Sequence, residues 1–157
     1  MKNFIDDEDD IKIPPGRRRA RAVAAQTLYQ IDITGDGEGI TEQLAPWLEE
    51  FRVAGANKNF AEDLVRGTLA VRAEIDALLA DRARDWSVGR MSAVDRNLLR
   101  LALFEMFYWD ATPQRVAINE IVELAKKFGG EDSGRFINGI LHGLMLREEN
   151  PGPSAKD

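Results

Sequence analysis

The sequence predicts an all-α fold, a bundle of six to seven helices in one domain. Three observations predict it. Between residues 17 and 150 apolar residues recur three and four apart, and no stretch alternates as a convincing strand. Glycine, proline and capping residues cut that stretch into helix-length pieces with short connections, the pattern of helices packed on helices. The chain has 157 residues, 44% hydrophobic and 31% charged, which suffices for a core and is ordinary for a globular protein.

Residues 1–16 form a leader, expected to be flexible, ending in the helix-excluding Pro14-Pro15-Gly16. The first helix runs from about Arg17 to Ile33 and stops at Thr34-Gly35-Asp36-Gly37. A second spans roughly Thr41 to Val53, with Thr41 as N-cap and Gly55 near its end. One long third helix, from near Asn57 to about Arg84, carries Phe60, Leu64, Val65, Leu69, Val71, Ile75, Leu78 and Leu79. Ser92-Ala-Val-Asp95 reads as a capping box with Asp in place of Glu. It opens a fourth helix reaching Trp109, apolar nearly all round and so the buried centre. Thr112-Pro113 opens the fifth, where Ala117, Ile118, Ile121, Leu124, Ala125 and Phe128 share one stripe. Gly129-Gly130 ends it. Asp132 or Ser133 caps the last helix, with Phe136, Ile137, Ile140, Leu141 and Leu144 as its buried stripe. Residues 151–157, PGPSAKD, read as a disordered tail.

Composition excludes several classes. With no cysteine there is neither a disulfide framework nor a thiolate metal site. The acidic start does not read as a signal peptide. Leu98 to Trp109, the most apolar segment, is too short for a bilayer and is broken by Arg100 and Glu105. A cytoplasmic protein without a membrane partner is the expectation. Net charge is −6, of which residues 1–13 carry −3 from five acids and two lysines. A nearly balanced domain of this kind can still hold a local anion site.

Catalysis is poorly supplied. A single histidine, His142, cannot build the paired Glu-x-x-His sites of metal-carboxylate bundles. Glu120 and Glu123 share a helical face that reads as a solvated flank. No phosphate-cradling glycine loop follows a strand. No enzyme, metal or cofactor is expected. Glu105, in the run LALFEMFYW, needs a partner if buried, such as a nearby loop or Arg100.

The arginines are the informative charges. Arg17, Arg18, Arg19 and Arg21 crowd the first turn of a helix, where the helix dipole disfavours cations. A phosphate reverses that balance, since it meets a helix N-terminus and guanidinium forks together. Arg17 and Arg21 lie within about 40° on the helix, Arg18 about 60° from Arg21, and Arg19 points away. Two or three of them can converge on one strand. Single-stranded RNA also wants stacking rings. Tyr29 shares the stripe of Arg18, Ala22 and Ala25, and Phe136 follows the loop GGEDSGR. Core packing is the competing fate for both rings.

RRRARAVAAQTLYQID (17–32), LLRLALFEM (98–106) and VAINEIVELAKKFGGEDSGRFINGIL (116–141) together resemble the NusB family of bacterial transcription antitermination factors. The resemblance covers most of residues 17–147. It implies two packed helical subdomains and binding of single-stranded boxA RNA in ribosomal RNA transcripts. It also implies a heterodimer with NusE, a small-subunit ribosomal protein, that joins other Nus factors on RNA polymerase. By position it places RNA contacts at Arg17, Arg18, Arg21, Tyr29, Asp132 and Phe136, and a NusE contact at Asp95. Asn119, Glu120 and Asn138 match the motif too and are assigned to packing and capping. Gly134 stands where relatives often carry a larger polar residue, which thins one RNA contact. The leader, with Asp6-Asp7-Glu8-Asp9-Asp10, replaces a short basic N-terminus and lowers the expected affinity. Its acids either shield the arginines until RNA or NusE displaces them, or merely keep the leader soluble. Two other readings stay open: an RNA-positioning module related to ribosomal-RNA methyltransferases, and a scaffold that binds only protein, including as a self-dimer.

Overall fold

The computed structural model describes residue 13 and residues 15–35, 39–82 and 91–149, with side chains of the last helix described as far as Met145. Seven helices make up the fold among these residues: α1 Arg17–Thr34, α2 Ile40–Glu50, α3 Gly55–Ala70, α4 Arg72–Arg82, α5 Ala93–Tyr108, α6 Gln114–Phe128 and α7 Ser133–Glu149. The acidic run Asp6–Asp10 and the tail 151–157 lie outside the described residues. Ile13, expected within the leader, is 1% exposed and belongs to the core.

Two groups of helices share one core. In the first, α2 and α3 pack on α1; in the second, α4, α6 and α7 pack on α5. The α1–α5 contact joins them, and α3 also reaches α5. As expected, α5 is central, with Val94 and every residue from Asn97 to Met106 buried. Less expected is α1, where all residues from Ala20 to Tyr29 are buried. Its run of alanines leaves little side chain between helix backbones, so neighbours approach closely on all sides.

The ends mostly follow local chemistry. Gly35 closes α1 in the left-handed conformation at φ 71, its N–H donating to Ile31 O at 2.8 Å. Ser92 Oγ accepts from Asp95 N at 3.1 Å, as a capping serine should. Thr41 is not a cap: α2 begins one residue earlier, after Gly39, without a side-chain cap. Gly55 starts α3 instead of ending α2. The single long third helix is two, broken at Val71, so that α3 packs on α1 and α5 while α4 packs on α5 and α7.

Candidate nucleic-acid interface

The first turn of α1 is an open helix start. Gly16 precedes it at φ 102, a backbone state that glycine adopts readily, and no side chain among the described residues caps it. No acid lies in that turn. The N–H groups of Arg17 and Arg18 have no partner within the helix by the geometry of a helix start. Ala20 begins the ladder, donating to Gly16 O at 3.1 Å.

Each arginine is held differently. Arg17 is exposed, its guanidinium carbon 4.1 Å from the centroid of the Phe60 ring on α3, a cation–π contact that fixes its direction. Arg18 grips Glu120 of α6 with two bonds, Nε to Oε1 at 3.0 Å and Nη2 to Oε2 at 2.6 Å. Arg19 turns back on the leader, Nη2 donating to Ile13 O at 2.6 Å. Arg21 is 4% exposed and grips the buried Glu105 of α5, Nε to Oε1 at 2.8 Å and Nη2 to Oε2 at 2.5 Å. Its Nη1 stands 3.4 Å from Glu120 Oε1. A ladder of alternating charge, Glu105–Arg21–Glu120–Arg18, therefore climbs from the core to the surface. The Arg18 hydrogen bond, helped by the charges of Arg18 and Arg21, outweighs partial burial and holds the Glu120 carboxyl below the usual range. The same bond raises the Arg18 guanidinium.

Three sequence expectations change here. Arg21 and Tyr29 (7% exposed) are buried, so neither offers a surface to a strand in this conformation. Glu120 is no solvated flank; only Glu123 fits that description, paired with exposed Lys126 at 2.9 Å. The partner of Glu105 is Arg21. Arg100 instead holds Asp76 of α4 through Nε and Nη2, both at 2.8 Å, and lies 3.4 Å from Asp32.

The remaining candidates meet elsewhere. Asp95, Asp132 and Phe136 line one cavity of about 320 Å³ with Met91, Ser92, Gly130 and Ser133, where the start of α5 faces the start of α7. Asp95 Oδ1 is buried there without a hydrogen-bond partner among the described residues. Gly134 lies inside α7, where a Cβ would stand 3.0 Å from Lys126 Cγ, so it is a packing position and not a loop contact. Asn119 and Asn138 are exposed and line an open groove between α6 and α7.

The two groups sit at opposite ends of α5. The N-terminal turn of α1 meets Glu105, while its last turn meets the start of α5: Asp32 Oδ2 accepts from Arg96 Nε and Asn97 Nδ2, both at 2.8 Å. At 1.5 Å per residue, Glu105 and Asp95 are separated by about 15 Å along the axis.

Comparison with known proteins agrees with this architecture. A family model described as the NusB family matches residues 18–145. The transcription antitermination protein NusB of Desulfitobacterium hafniense is 46% identical over 125 residues, covering 80% of this chain and 84% of that protein. That of Pelotomaculum thermopropionicum is 44% identical over 140 residues, covering 89% and 96%. Among solved structures, T. maritima NusB is 36% identical with a TM-score of 0.77, covering 84% of this chain and 92% of that one. A chain from the complex of antitermination factors NusB and NusE with dsRNA is 28% identical with a TM-score of 0.74, covering 83% and 96%.

Proposed function

The chain belongs to the NusB family, and from that premise we propose that it is a transcription antitermination factor that binds boxA-like single-stranded RNA together with NusE. The pair joins the other Nus factors on RNA polymerase, without a cofactor and without catalysis. Work on nascent transcripts implies a cytoplasmic protein, in keeping with the lack, among the described residues, of any helix long and apolar enough to cross a membrane. In this reading Arg17 and Arg18 meet phosphates, Phe136 stacks a base beside Asp132, and Asp95 lies on the side that NusE contacts.

One observation carries the reading: an uncapped helix start that bears two partly exposed arginines, each fixed by a neighbour and each with donors to spare. A phosphate satisfies the helix N–H groups and the guanidinium edges at once. The test is a titration of boxA-like and scrambled RNA strands with the purified chain, alone and mixed with NusE, with gel filtration of each mixture. A heterodimer that prefers the boxA-like strand is the expected result. A self-dimer that ignores both strands would make the protein-only scaffold the better reading.

A further inference from the structure

Resting on the RNA-binding reading above, we propose that Glu120, backed by Arg21 and Glu105, is a positioning residue. It holds the Arg18 guanidinium so that the Nη1 edge is presented to an RNA phosphate.

A guanidinium has five N–H donors in a rigid fork. Glu120 takes one from Nε and one from Nη2 of Arg18. Both donors of Nη1 and the second of Nη2 remain, on a side chain 31% exposed. One N–H of Nη1 and the second of Nη2 form the paired edge that a phosphate accepts in bidentate fashion. The carboxylate therefore occupies the inner side of the fork and leaves the outer side for ligand.

The support is itself supported. Glu120, with a side chain 20% exposed, has Arg21 Nη1 at 3.4 Å behind it, and Arg21 is locked to Glu105, whose side chain is fully buried. Each charge in the ladder faces an opposite one, so the anion beside the RNA surface is matched from within. Without Glu120, Arg18 would sample its rotamers and pay for ordering when RNA binds. Immobilising such a side chain costs enough to weaken binding about two- to tenfold.

A competing role predicts the reverse. If the Glu120 carboxylate merely occupied the phosphate's place, its removal would tighten binding. Three variants separate these roles, measured as affinity for a boxA-like strand against salt, with NusE present and a thermal melt of each protein. Glu120→Gln keeps the shape and loses the charge. Glu120→Asp keeps the charge and withdraws the carboxylate by one methylene. Arg18→Ala reports on the RNA-binding reading itself.

Both Glu120 variants should lose about two- to tenfold in affinity with an unchanged salt slope, and the double variant Arg18→Ala with Glu120→Gln should bind no worse than Arg18→Ala. Tighter binding by Glu120→Gln, with a slope steeper by about 0.7 for one added net charge, would overturn the proposal in favour of competition. Wild-type affinity in both Glu120 variants, alongside weakened Arg18→Ala, would overturn it while leaving the RNA site intact. Wild-type affinity in Arg18→Ala would instead remove the reading on which the proposal rests.

Discussion

Glu105 and Arg21 depend on each other more than any other charged pair in the described structure. Removing Glu105 leaves the buried Arg21 with only its longer contact to Glu120, and removing Arg21 leaves Glu105 buried with no counter-charge; breaking a buried pair in this way generally costs about 3–5 kcal/mol. In a chain of this size that corresponds to roughly 6–20 °C in unfolding midpoint. Glu105→Ala should fall in that range by calorimetry, while joint replacement by Glu105→Leu and Arg21→Met should cost much less. A midpoint within a degree of wild type for Glu105→Ala would show that the pair is not what holds these helices. Half of this was legible in the sequence: a carboxylate inside LALFEMFYW demands a cation. Its identity was not, because helical spacing relates residues of one helix only, and Arg21 is 84 residues away. One signal was available, since Arg21 sits within ARAVAA, a run too small and apolar for a solvent-facing turn. Likewise, Glu120 looks like a flank from α6 alone and becomes half-buried only when α1 packs beside it.

Between elements, the ends were readable and one break was not. Ser92 and Gly35 act as their chemistry predicts. The break at Val71 has neither glycine nor proline, and the stripe stays in phase across it: Thr68 and Ile75 are both buried and lie two turns apart. Periodicity measures phase, and a bend that preserves phase leaves no mark on it. The element after the break, α4, is tied down by a second charge network, in which Asp76 of α4 and Asp32 of α1 meet Arg96, Asn97 and Arg100 of α5. Burial pushes the Asp32 carboxyl up, but the Asn97 and Arg96 hydrogen bonds and the charges of Arg96 and Arg100 together hold it below its ordinary value. A carboxyl depressed in the folded state adds stability above its unfolded pKa and loses it as pH falls through the folded one. Asp32→Asn should therefore melt lower than wild type at neutral pH, and the gap should close as pH drops below the usual carboxylate range. A gap that stays constant into acid would mean that Asp32 contributes by shape and not by charge.

At the scale of the molecule, a chain of net charge −6 is proposed to bind a polyanion, so the distribution of charge has to outweigh its sum. The proposed contacts fall into two places about 15 Å apart along α5: the arginine turn of α1, and the cavity of Asp95, Asp132 and Phe136. The all-helical class and the candidate residues could be read from the chain; the separation of those residues into two places could not, because it follows from α1 running antiparallel to α5. A strand touching both must cross the surface between them and span a few nucleotides, which explains how a short motif can be read by a small domain. The most direct test of this account is the salt dependence of boxA-like RNA affinity, with NusE present, for the wild-type chain and for the double variant Arg17→Ala, Arg18→Ala. Two lost phosphate contacts should make the slope of log affinity against log salt shallower by about 1.4, at about 0.7 per contact on a single strand. Identical slopes and affinities for the two proteins would contradict the account and place the RNA surface away from the start of α1.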